Sequence, residues 1–181
     1  MHNHLKPEQY YFIKYLTSLD NEQNRDVLAV MRRGLTGQPV EDLNLYRFVA
    51  KRVPDFDRGV KCEAVYYLIA ALYAYHPLQT DKGNFGNHMS LAASKRNDQE
   101  AAERRFTVLL STRMSEVAIH LRQAIAILKQ QEIPVNWECL FADLLIWDHP
   151  QKIVQRAWAN GFWTYELPSE AGENRSSETK A

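Results

Sequence analysis

The sequence predicts an all-α fold of about eight helices, packed as two helical halves. Three observations predict it. Apolar residues recur at three- and four-residue spacings almost throughout, the repeat of one helix face, and no stretch alternates as a half-buried strand does. Only 7 glycines and 7 prolines punctuate 181 residues, too few for a sandwich or barrel built on many turns. The run Ala64–Tyr75 (AVYYLIAALYAY) is apolar on every side. It is far shorter than the about 20 residues of a membrane span, so it predicts a helix buried all round.

The elements follow in order. Pro7 opens a first helix to about Ser18, its missing N–H harmless in a first turn, with Tyr11, Phe12, Tyr15, Leu16 and Leu19 to one side. Asp20 or Asn21 caps a second helix that ends at Gly34, read as its C′ glycine. Arg32 and Arg33 fall in its last turn, where cations complement the helix dipole. After a turn at 36–39, a third segment of about 41–51 stops before Val53-Pro54. The buried helix covers about 57–76, and Pro77 ends it. Residues 78–97 read as a long irregular connection, with Phe85 packed inward and Gly83 and Gly86 turning the chain. That reading divides the chain into an N-terminal half (1–80), a linker (81–97) and a C-terminal half (98–165).

In the second half, Asn97 or Asp98 caps a helix to about Thr112. Ser115 caps the next, whose stripe is Val117, Leu121, Ala124, Ile125 and Leu128, and Pro134 breaks it. Asn136 caps a short helix of about 137–146. Asp148-His-Pro-Gln151 has the order of an N-cap, an early proline and an N3 glutamine, opening a last helix that stops at Gly161. Residues 166–181 are polar, with four glutamates against Arg175 and Lys180, and are expected to form a disordered acidic tail.

Enzyme chemistry finds little footing. Cys62 and Cys139 form no CxxC pair, which excludes a zinc ribbon or thioredoxin-like site and points to a reducing compartment. The 6 histidines include no i, i+4 pair of metal-ligand type, so neither metal nor other cofactor is expected. No GxSxG, P-loop or GxGxxG occurs. Asp143 and Asp148 lack the further carboxylates a metal-dependent nuclease needs. Trp158 and Phe162, at i and i+4, read as core rather than as a base-stacking platform. The polar first residues show no apolar leader, and with no membrane span the chain is expected in the cytoplasm.

Charge is more informative in its distribution than in its sum. Lys+Arg and Asp+Glu are 22 each. Yet residues 25–61 carry eight basic against five acidic groups, and residues 82–129 eight against four, with arginine outnumbering lysine in both. A guanidinium fork binds phosphate bidentately and is weakly hydrated. Arg122 and Lys129, one heptad apart, share an edge of the Leu121/Ile125/Leu128 stripe, and Arg105 flanks Ala102/Phe106/Leu109. Arg104 points further outward, and Arg113 sits just past a helix end. Any one of these arginines can serve by covering a core edge with its methylenes. A binding face rests on several together.

Several strings, taken in order, carry a resemblance. They are Met31-Arg-Arg-Gly34, Tyr67–Tyr73 closing on His76-Pro77, Asn84-Phe-Gly86, Arg104-Arg-Phe106, His120-Leu-Arg-Gln-Ala124, Ile133-Pro-Val-Asn-Trp137, Asp143–Pro150, and Gln155-Arg156 with Trp158 and Phe162-Trp163. Jointly, over about residues 10–163, they resemble the CasB family, the small subunit of the type I-E CRISPR Cascade complex. The resemblance implies a non-enzymatic subunit, present with a second copy of itself beside the backbone and large subunits. It would touch the guide RNA–target DNA assembly and hold the displaced single strand. Carried onto this chain, the nucleic-acid-binding positions are Arg32, Arg33, Arg104, Arg105 and Arg122. Arg58, Lys152 and Arg156 follow, and the charge reading adds Arg113 and Lys129. The competing expectation is a helical adaptor acting only through protein contacts, its arginines paired to carboxylates.

Overall fold

The computed structural model describes residues 5–36, 43–95 and 99–164. Within them lie nine α-helices: α1 Pro7–Ser18, α2 Arg25–Arg33, α3 Leu43–Val49, α4 Val60–Tyr75, α5 Phe85–Ser94, α6 Gln99–Ser111, α7 Met114–Gln130, α8 Trp137–Leu145 and α9 Ile153–Trp163. Among the described residues the only β pairing is a single bridge, Gln79 with Val135, which ties the segment after α4 to the turn before α8. The all-α expectation holds. The acidic tail and the capping residues Asn97 and Asp98 lie outside the described residues.

Helix α4 is the axis of the molecule. Every residue from Val65 to Ala74 is buried, as the unbroken apolar run requires. Helix α4 meets α2, α3, α7 and α8. Tyr66 illustrates the join, with its ring centroid 4.8 Å from Phe12 of α1 and 4.8 Å from Phe141 of α8. Its hydroxyl donates to the Asp57 carboxylate at 2.6 Å, which also accepts from Gln9 at 2.7 Å, so the buried charge is not left bare. One continuous apolar cluster runs from Phe12 to Phe162 and takes in Trp137, Trp147 and Trp158.

The stretch expected to be irregular contains helix α5. Asn84 and Asn87 form a reciprocal cap there, each side chain accepting from the other's backbone N–H, at 3.1 and 2.9 Å. Phe85, His88, Met89 and Ala92 are buried at helical spacing behind that cap. Gly83 takes a left-handed φ of +71° as expected. Gly86, expected in a turn, sits inside α5 instead. A Cβ there would run into the Trp158 carbonyl, so only glycine lets α5 and α9 approach this closely.

Four other boundaries move for identifiable reasons. Gly34 is right-handed (φ −55°) rather than a C′ glycine, and the chain tightens into a 3-10 turn, Gly34–Thr36, that buries Leu35. Helix α7 starts at Met114, not after Ser115, because the Asp148 carboxylate accepts from the Met114 N–H at 3.2 Å. Asp148 therefore caps α7 rather than the last helix, whose N-cap is Lys152 in a left-handed conformation (φ 49°). Helix α9 also runs past Gly161 to Trp163, which places Phe162 in a stack on Phe106 at 4.4 Å.

Candidate nucleic-acid interface

Helices α2 and α7 both pack on α4, and a groove opens between them at the end of α4. On α2, Leu28 and Met31 turn into the core, and Arg32 and Arg33 stand exposed in the last turn. On α7, Leu121, Ile125 and Leu128 are buried. Arg122 lies half-buried at the edge of that stripe, and Lys129 is exposed one heptad on. Half-buried Tyr75, the last residue of α4, lies between the two banks. The groove is open to solvent, has a volume of about 650 Å³ and is lined by Ala29, Arg32, Arg33, Leu35, Tyr75, Arg122, Gln123 and Ala126. Its floor is carbon and its rim is cationic.

Lys129 adjoins the rim through Tyr75. Its ammonium sits 3.9 Å from the Tyr75 ring centroid, a cation–π contact. Burial pushes its pKa below the usual lysine value, and the positive charge of Arg32 pushes the same way. Arg32 and Lys129, nearly a hundred positions apart in the chain, therefore share one electrostatic neighbourhood. Arg105 is near at hand: with Phe106, His120 and Gln123 it lines a small adjoining cleft, and Gln123 also lines the groove.

The remaining sequence candidates stand elsewhere. Arg58 pairs with Asp55 at 2.9 Å, and Arg104 with Glu100 at 2.6 Å, both on the solvent face of a single turn. Arg113 is the exposed residue before α7. Lys152 and Arg156 are exposed at the start of α9. The structure thus gathers Arg32, Arg33, Arg122 and Lys129 at one groove, sets Arg105 beside it, and leaves the other five off its walls. Other arginines pack on rings: Arg52 lies 3.2 Å from the Tyr15 centroid and donates to the Phe48 carbonyl at 2.9 Å.

Sequence reasoning misses the floor. Tyr75 reads as one more residue of the buried run, and Ala29 and Ala126 carry neither charge nor ring to mark them. The signal lies in spacing: Arg122, Ala126 and Lys129 stand at i, i+4 and i+7, and Ala29, Arg32 and Arg33 at i, i+3 and i+4. Each set puts a small residue and its cations on one helix face.

The polar groups elsewhere serve the fold. Asp143 accepts from the Trp158 indole at 2.6 Å, and Asp148 caps α7. Burial drives the His88 pKa down to about 4, and its Nε2 accepts from the Asn136 N–H at 3.1 Å. His76 Nε2 donates to the Ile133 carbonyl at 2.7 Å. Among the described residues no three His, Cys, Asp or Glu side chains gather as a metal site, and no helix is long and apolar enough to cross a membrane.

The family model for CRISPR-associated protein Cse2 matches residues 27–163. The chain belongs to the Cse2 family. A CRISPR-associated protein Cse2 from Thermus thermophilus is 33% identical over 136 residues, spanning 75% of this chain and 77% of the relative. The crystal structure of a Cse2-family protein, also from Thermus thermophilus, superposes with a TM-score of 0.79 at 25% identity, covering 89% of this chain and 100% of that one. A chain from a CRISPR RNA-guided surveillance complex shares the fold, with a TM-score of 0.73 at 24% identity over 87% of this chain and 92% of that one. The resemblance to CasB proteins drawn from the ordered strings and the Cse2 match concern the same family. The groove uses two of those strings, Met31-Arg-Arg-Gly34 and His120-Leu-Arg-Gln-Ala124.

Proposed function

We propose that this Cse2-family chain is a non-enzymatic subunit of a CRISPR RNA-guided surveillance complex of the Cascade type. In that assembly it holds the displaced DNA strand in the groove between α2 and α7. The carrying observation is the convergence of Arg32 and Arg33 on one bank with Arg122 and Lys129 on the other. Family membership and the shared fold support the assembly. Base pairing reads the sequence in such complexes, which leaves backbone and displaced-strand contacts to protein cations. A chain of zero formal charge binds DNA weakly alone; neighbouring subunits raise its effective concentration at the strand. Its partners are the backbone and large subunits, a second copy of this chain, and the guide RNA–DNA assembly.

Arg105 extends the track past Gln123. Arg113, Lys152 and Arg156 offer further contacts on the α7 and α9 side, and Arg58 and Arg104 must first release a carboxylate. The adaptor reading draws on the Arg58–Asp55 and Arg104–Glu100 pairs. The groove favours strand holding, because an adaptor has no need of four cations around one concavity.

The test is R-loop lifetime in the assembled complex with Arg32, Arg33, Arg104, Arg105 and Arg122 changed to Glu, singly and in pairs. Pairs drawn from the groove should shorten the lifetime most, and each lost phosphate contact should lower the salt slope by about 0.7. Unchanged lifetimes in every pair would overturn the proposal.

A further inference from the structure

We infer that the groove seats an unstacked nucleobase of the displaced strand on its floor, while its two banks hold the phosphates on either side. This rests on the strand-holding reading and adds which part of the nucleotide is recognised.

A track for backbone alone needs only the rim. Phosphate oxygens seek N–H donors and gain nothing from a carbon-lined hollow. Here the rim encloses Ala29, Leu35, Ala126 and the Tyr75 ring. The groove is open to solvent, and its volume, about 650 Å³, leaves room for a flat ring to lie on the floor. Carbon left wet in a concave site favours an apolar guest. A guest suited to both parts has a flat apolar body and anions within a few ångströms of it.

The placement of charge narrows the class further. The cations are on both banks, Arg32 and Arg33 on α2 and Arg122 and Lys129 on α7. A ligand with one acidic head would use one bank. A nucleic-acid strand crossing the groove sets one phosphate against each bank and drops a base between them. Single-stranded DNA has unpaired bases free to do this, whereas a duplex keeps them stacked. Since every base has an apolar face, occupancy should be tolerant of sequence.

The experiment uses the assembled complex and pre-opened targets. Their displaced strand is mismatched to the target strand, so re-pairing plays no part. One target carries intact nucleotides and the other carries tetrahydrofuran abasic residues through the displaced segment, leaving every phosphate in place. The abasic strand should bind about tenfold more weakly, the factor a single base contact supplies. Ala126→Leu, which crowds the floor without offering a ring to stack on and spares the cations, should weaken the intact target and bring the two targets closer. Equal binding of both targets by the unmodified chain, with Arg32→Glu/Arg33→Glu still weakening both, would overturn the base seat and leave strand holding intact. If that double variant also changed nothing, both readings would fall together.

Discussion

Two helix pairs in this protein bring small residues face to face and use them in opposite ways. Between α5 and α9, glycines let the chains close completely. Gly86 meets the Trp158 carbonyl, Gly161 faces the Asn84 side chain, and Asn84 and Asn87 donate to the Ala157 and Gly161 carbonyls at 3.0 and 3.2 Å. Between α2 and α7, Ala29 and Ala126 face an open groove ringed by cations. In the first pair the polar side chains are spent on the fold. In the second, small residues keep a hollow open and the cations stay at its lip. Small side chains alone therefore do not distinguish a packed seam from a binding cleft; whether backbone closes over them or cations ring them does.

The closed seam should break most severely. Gly86→Ala puts a methyl against backbone that no rotamer can move aside. We expect a loss of about 3 kcal/mol, a fall in Tm of roughly 10 °C, read by thermal denaturation. At the groove, Ala126→Leu adds three carbons yet should cost less than about 0.5 kcal/mol, since they enter open space. Equal losses in the two variants would show that the groove is as tightly packed as the seam.

A second way to separate the regions is pH. His88 lies on α5 and accepts from Asn136, and burial holds its folded pKa at about 4 against an ordinary 6.5. The unfolded chain then binds the proton more readily. Stability is fullest above about pH 6.5 and declines as pH falls toward 4, by up to about 3 kcal/mol. Denaturant titrations at about pH 7 and about pH 4.5 should show His88→Gln losing much less over that interval than the parent chain. The same slope in both proteins would mean that His88 is not the titrating group. The lining of the groove holds no histidine or carboxylate, so strand holding should not follow the same profile.

Asn84→Ala removes a helix cap and the tie to Ala157 together. It should cost about 1–2 kcal/mol, with hydrogen exchange quickening first at the start of α5. Uniform exchange across α5 would contradict a cap-specific role.

Helix content is legible in the sequence because the α7 stripe leaves a 3.6-residue signature, while the α4 run, apolar on every side, is too long for a strand. Helix α5 is not, because its signals look like loop chemistry. Two asparagines and two glycines within five residues suggest turns unless the reciprocal cap and the contact with α9 are known. Asp148 shows the same limit. Its spacing to Pro150 and Gln151 fits a local cap, yet it bonds Met114, which only the fold brings near. At the groove, the cations are readable from charge clustering, since arginines at the edge of an apolar stripe must reach solvent. Their convergence is not, because α2 and α7 are far apart in the sequence and meet only once both have packed on α4. Tyr75 carries no mark to separate it from its buried neighbours.

The smallest expected effects belong to Arg58 and Arg104, and they sharpen the comparison. Each is paired with a carboxylate one turn away on an open face, with side-chain exposures of 57% and 65%. Exposed pairs of this kind contribute about 0–1 kcal/mol. Arg58→Ala and Arg104→Ala should leave Tm nearly unchanged. They should also shorten R-loop lifetime less than Arg33→Ala, since neither side chain lines the groove. A loss at Arg104 as large as at Arg33 would extend the cationic track from the groove along α6. Position along a strand, rather than the carbon floor, would then be what sets a cation's worth.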